Sequence, residues 1–266
     1  MTDWERVWRL SRAMIGVEIE ARNKWMAIAP VGVGLLFLAI VGAAIVEPST
    51  LTGTTQSQLD AALDNYFTSV SGPKLAIALV VVQAPMLLSL FAPIVTVPTA
   101  RSLAGRRVKG GEFETLLAAP QTHGELFATF VLTAFVVTLV QVLVLAVIGI
   151  GGAWILVLVA GAEFTLSAGP ATFAPYIVPL PVALWAALVS TLVYMAYPDT
   201  SLNGHGVGNF LLLVAYLPGF ALLGIVSVAP GISPLLVAVG GFLIVSVLTA
   251  IGAAAVRKWF RPVRVL

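Results

Sequence analysis

Thirteen of the fourteen basic residues in this 266-residue chain fall into three short segments, and long uncharged apolar runs separate them. That pattern constrains the fold more than any single motif. About twenty apolar residues in a helix rising about 1.5 Å each match a hydrocarbon core of about 30 Å, and a charge inside such a run is costly. Six runs fit this description, at 27–46, 75–98, 126–148, 181–197, 209–228 and 235–256, and none contains Asp, Glu, Lys, Arg or His. With 59% hydrophobic residues, 10% charged residues and a mean hydropathy of +1.03, the chain has too little charge to cover a soluble globule of its size. The expected fold is an all-α membrane protein of six transmembrane helices in a single domain over 1–266.

The basic residues also assign the sides. Arg6, Arg9, Arg12, Arg22 and Lys24 precede the first run, Arg101, Arg106, Arg107 and Lys109 follow the second, and Arg257, Lys258, Arg261 and Arg264 follow the sixth. Cytoplasmic loops carry the excess of Lys and Arg, so six crossings put all three clusters inside, with both termini cytoplasmic. The expected location is multi-pass in the cell membrane. Seven crossings, with Ala153 onward as a full crossing, would put the C-terminal cluster outside against that rule.

Several local features refine this outline. Residues 1–26 interleave Arg with Trp4, Val7, Trp8, Met14 and Ile15 at helical spacing. That composition predicts an amphipathic elbow helix lying along the membrane surface and turning inward at Trp25, with Trp4, Trp8, Arg9, Arg12 and Trp25 at headgroup depth. Leu59, Leu63, Tyr66 and Phe67 are expected on one face of a short surface helix in the polar segment 47–74. Pro85 and Pro93 should kink the second run. Gly149, Gly151 and Gly152 should end the third, leaving 153–160 as an outer turn or a re-entrant piece, and Pro218-Gly219 should interrupt the fifth. Thr122 to Glu125 reads T-x-x-E, a capping box that starts the third span.

The chemistry these residues allow is narrow. With no Cys, thiolate metal sites and cysteine nucleophiles are excluded, and two isolated His residues, His123 and His205, make no ligand cluster. Gly105 to Gly110 has the glycine spacing of a phosphate-binding loop but continues into Gly111 and Glu112 rather than Lys and Ser or Thr. Gln83 and Gln141 are the deepest polar side chains and read as interhelical hydrogen-bonders. No cofactor, metal, catalytic group or nucleic-acid partner is expected in this chain.

One polar island remains, G-G-E-F-E-T-L-L-A-A-P at 110–120. Its glycine pair breaks the preceding helix, its two glutamates suit a helix N-terminus, and its proline stops it, giving about two turns with Phe113, Leu116 and Leu117 on one face. G-E-F-E-T-L-L-A-A-P followed by Q-T-H-G-E-L resembles the G-T-L/F-E-x-L-L-x-x-P motif of type-2 ATP-binding-cassette transporter permeases, which follows the second span of that family. The family is similar in its elbow helix, its six spans and the cytoplasmic position of the motif. Glu112 departs from the Thr often found there, and Ala128-Thr129 from a common Gly-Lys.

The resemblance implies that 110–120 is a coupling helix docking a separate cytoplasmic ATPase, through Gly111, Phe113, Glu114, Leu116, Leu117 and Pro120. It implies a permease of exporter type that pairs with itself or a related permease and leaves ATP and Mg to the partner ATPase subunits. The alternatives are an ATP-independent channel or carrier and a non-transporting membrane anchor subunit.

Overall fold

The structure is a computed structural model and describes residues 4–47, 60, 63–110, 122–167, 169–197, 207–228 and 234–259. It is mostly helical. Helix α1 spans Trp4–Val46. Helix α2 is an unbroken helical rod over 74–109, in which α-helical Lys74–Ala78, Ala84–Ala100 and Arg106–Lys109 are joined by π turns at Leu79–Gln83 and Arg101–Gly105. Helix α3 covers 123–159, again with a π turn, at Ala146–Gly151. A nine-residue 3-10 segment, Gly169–Ile177, leads into α4, Pro179–Ala196. Helices α5 and α6 are Val207–Val228 and Pro234–Trp259.

Four stretches are long and apolar enough to cross a membrane, Ile28–Val46, Lys74–Gly105, Gly124–Val159 and Thr172–Ala196, and α5 and α6 contribute the shorter apolar stretches Gly208–Leu222 and Ala238–Gly252. Contacts along the helices set their directions. Ser11 Oγ donates to the Thr129 carbonyl, and Gly34 meets Gly149, so α1 and α3 run side by side in the same direction. Tyr176 reaches Val80 and Tyr194 reaches Gly105, so α2 and α4 also run together. One end of the bundle therefore gathers the start of α1, the end of α2 with Arg101, Arg106 and Arg107, the start of α3 and the end of α4. We refer to this as the basic end.

The opposite end carries a two-stranded antiparallel sheet that the all-α expectation omitted. Strand β1, Phe67–Ser71, pairs with β2, Glu163–Leu166, with Phe67 opposite Leu166 and Val70 opposite Phe164. The register shifts between Phe67 and Ser69, so the inward side chains Phe67 and Val70 are three residues apart rather than two. This bulge hides the strand from a period-two reading. Tyr66 and Phe67 thus sit in a turn and a strand rather than on the expected surface helix, while Leu63 keeps a helical backbone and Leu59 lies outside the described residues.

Three expected breaks are absent. α1 does not turn at Trp25, because the A-R-N-K-W-M sequence at 21–26 contains no helix breaker and the helix continues through it. Gly149, Gly151 and Gly152 do not end α3. They let α1 approach: a Cβ on Gly149 would lie 3.0 Å from Gly34 Cα, and one on Gly152 would lie 2.9 Å from a Leu38 methyl. Small residues at a helix crossing serve close packing where lipid gives no hydrophobic drive. Residues 153–159 are accordingly the last turns of α3, neither an outer turn nor a re-entrant piece. Pro218-Gly219 leaves α5 continuous, for a reason found in α4.

That reason is how the proline-freed carbonyls are satisfied. Proline removes one helical N–H, so the carbonyl four residues earlier loses its partner. Trp185 Nε1 donates at 2.9 Å to the Val214 carbonyl, four residues before Pro218. On α2 the turn before Pro85 is five residues deep, with the Ala84 N–H bonding the Leu79 carbonyl. The next carbonyl in that register, Val80, faces Pro85 and takes the Tyr176 hydroxyl at 2.5 Å instead. Among the buried hydroxyls, Ser89, Thr96, Thr99, Thr129 and Thr138 each bond the carbonyl one turn back, and Thr96 also meets Thr138 at 2.8 Å across α2 and α3. These five hydroxyls are thereby paired inside an apolar bundle without charge.

Candidate functional site

The predicted docking residues Gly111, Phe113, Glu114, Leu116, Leu117 and Pro120 lie outside the described residues, but both edges of their segment are described. On the α2 side, the Gly110 N–H bonds the Arg106 carbonyl at 2.8 Å, and the Arg107 guanidinium carbon stands 6.0 Å from the centre of the Phe130 ring of α3. On the α3 side the capping box is formed: Glu125 N–H donates to Thr122 Oγ1 at 3.2 Å, and Thr122 N–H donates to Glu125 Oε2 at 2.9 Å. The T-x-x-E pattern predicts this pair, since a helix start leaves four N–H groups unbonded and the two side chains each take one. The ends of α2 and α3 that flank positions 111–121 in the chain thus pack on each other through Arg107 and Phe130.

The first half of α1 braces this end. Val7, Ser11, Met14 and Glu18 are buried and recur every three or four residues, making one stripe. Met14 packs with Val97, Leu103, Leu126, Phe130 and Tyr194 in the core of the basic end, while Ser11 reaches Thr129. The expected membrane-interface residues stand off that stripe: Trp4 is 68% exposed, Trp8 is 52% exposed, and Arg9 and Arg12 are also exposed. Arg9 pairs with Glu5 at 3.4 Å, one turn away. Trp25 lies within the continuous α1. The same helix therefore packs one face on its own bundle and turns its tryptophans and arginines outward.

Sequence reasoning missed three residues of this framework, Tyr176, Trp185 and Tyr194. They are spaced nine apart, and in a helix nine residues reverse the face. Trp185 consequently meets α5, whereas the ring of Tyr194 faces α2, where a Cβ on Gly105 would lie 3.3 Å from it. Gly105 is the last residue of the second π turn of α2. The signal was present as aromatic periodicity, but only the positions of Pro85, Pro218 and Gly105 on neighbouring helices give it meaning. Gln141 is buried, as expected of an interhelical residue, while Gln83 is exposed.

Among the described residues no group of three His, Asp or Glu side chains is placed to hold a metal ion. No protein-family model matches the chain, and comparison with curated proteins and with solved structures finds no significant match.

Proposed function

We propose that this chain is the membrane-spanning permease subunit of an ATP-driven transporter, an exporter, whose segment 111–120 docks a separate cytoplasmic ATPase. The observation that carries the reading is the placement of one polar, amphipathic island, G-G-E-F-E-T-L-L-A-A-P, between the arginine-rich end of α2 and the capped start of α3. Phe113, Leu116 and Leu117 are the apolar anchors of a helix-in-groove contact, and Glu114 pairs with a cation of the ATPase. Six crossings with both termini cytoplasmic put this end of the bundle inside, in accord with its arginines. Two permease chains and two ATPases make the working unit. ATP and Mg stay with the ATPases, and this chain does mechanical work by reorienting its helices.

Affinity purification from native membranes in mild detergent tests the reading, comparing the unaltered chain with a Phe113→Ala/Glu114→Lys variant. An ATPase should accompany the unaltered chain and be missing from the variant. A folded, unaltered chain that repeatedly emerges without an ATPase would falsify the assignment.

A further inference from the structure

Two unusual pieces of backbone meet at one hydrogen bond. The first is the π turn Leu79–Gln83, which leaves the Val80 carbonyl opposite Pro85 without a backbone donor. The second is the 3-10 segment Gly169–Ile177, nine residues long, entered through Gly169 at φ +55 and containing Pro175. The poorer hydrogen-bond geometry of 3-10 helix makes runs beyond three or four residues uncommon, and both 3-10 and π stretches recur at hinges and functional sites. Tyr176, at the end of that segment, donates to the Val80 carbonyl at 2.5 Å, and its ring meets Phe173, which in turn meets Trp154 of α3. One phenol therefore ties the strap to α2, with α3 behind it.

The position of the bond gives it leverage. The strap runs directly into α4, which lies alongside α2 and meets it again where Tyr194 packs on Gly105. The register of α2 against α4 is thus fixed at one end by a hydrogen bond and at the other by a ring against a glycine.

We propose that the Tyr176 hydroxyl is a releasable latch between the strap 169–177 and α2, and that its release lets the strap part from α2 while α4 stays packed on it. Under the permease reading above, α2 is also the helix that a docked ATPase moves; the latch is argued from the strap and the π turn, and its test needs no ATPase.

The absence of cysteine makes the test clean. Thr172 lies on the strap, is 1% exposed, and its hydroxyl makes no hydrogen bond, so Thr172→Cys removes no bond and gives a single buried thiol. Its reaction with a water-soluble maleimide is followed in the full-length chain in lipid, with and without Tyr176→Phe, which keeps the ring and deletes the donor. Ala187→Cys, at a fully buried site in α4, reports on the bundle itself. The latch predicts that Tyr176→Phe speeds labelling at position 172 about five-fold, the effect of losing one ordinary hydrogen bond, and leaves position 187 unchanged. Equal rates at 172 with and without the Tyr176 hydroxyl overturn the latch, and so does equal acceleration at 172 and 187, which means general loosening. If either outcome coincides with normal ATPase co-purification, the latch falls and the docking reading stands; faster labelling at 172 in a chain that recruits no ATPase gives the reverse.

Discussion

The indole Nε1 of Trp185 lies 2.9 Å from the carbonyl oxygen of Val214, the group that Pro218 deprives of its helical donor. A side chain on α4 thus completes the backbone of α5. Trp185→Phe should cost about 1–2 kcal/mol, the penalty of leaving a buried acceptor unsatisfied. Pro218→Ala restores an N–H at 218 and should remove most of that cost. Thermal unfolding of the two single variants and the double variant checks this as a mutant cycle; additive effects would refute the pairing.

Gly34 and Gly149 make a second prediction. A Cβ on Gly34 would lie 3.2 Å from the backbone nitrogen of Gly149, and backbone cannot move aside as a side-chain tip can. Gly149→Val should therefore destabilise the chain by about 1–3 kcal/mol by forcing α1 and α3 apart. Gly32→Ala and Gly42→Ala are the controls. Nothing lies within 4 Å of a Cβ at either position, so helix propensity alone predicts a gain of about 0.5–1 kcal/mol. Melting temperatures that fail to separate the two groups would remove the close-approach argument.

At the start of α3, Thr122→Ala should cost about 1 kcal/mol by uncapping the Glu125 N–H. Thr122→Ser keeps the oxygen and should cost little. Backbone hydrogen exchange at Glu125 locates the effect: it should rise in the Ala variant and stay near the unaltered rate in the Ser variant.

Tyr66 gives a pH prediction outside the membrane-spanning stretches. Burial raises its phenol from 10.0 to about 12, because the phenolate loses hydration beneath the sheet. A raised folded-state value means that the neutral phenol stabilises the fold fully below pH 10, and that this contribution is lost as the pH climbs through about 12. Phenolate absorbance in Tyr66→Phe should lose the amplitude of one tyrosine titrating near pH 12. That variant should also lose less stability than the unaltered chain between those two pH values.

Much of the architecture is readable from one sequence because membrane burial imposes a simple rule. Uncharged runs of sufficient length become helices, and Pro179–Ala196, Val207–Val228 and Pro234–Trp259 begin and end within a few residues of the expected 181–197, 209–228 and 235–256. The capping box was legible for a related reason, since Thr122 and Glu125 satisfy each other's neighbourhood within four residues. The polar island at 110–120 stands out in the sequence as two glutamates and a glycine pair between apolar runs, and its residues 111–120 lie outside the described residues.

Where expectation failed, the deciding partner was distant in the chain. Gly149 and Gly152 carry a helix-breaking signal by themselves, yet Gly34 and Leu38, more than a hundred residues earlier, pack against them and make them helical contact points. β1 has no strand without β2, about a hundred residues on, and its bulge erases the alternation that would betray it. Pro218 signals interruption until Trp185 supplies the missing donor. The sequence alone determined which segments form long apolar helices, because that depends on local composition. Tertiary structure decided where those helices bend, bulge or continue, because an unpaired carbonyl or a missing Cβ takes its energy from whatever group the fold brings beside it.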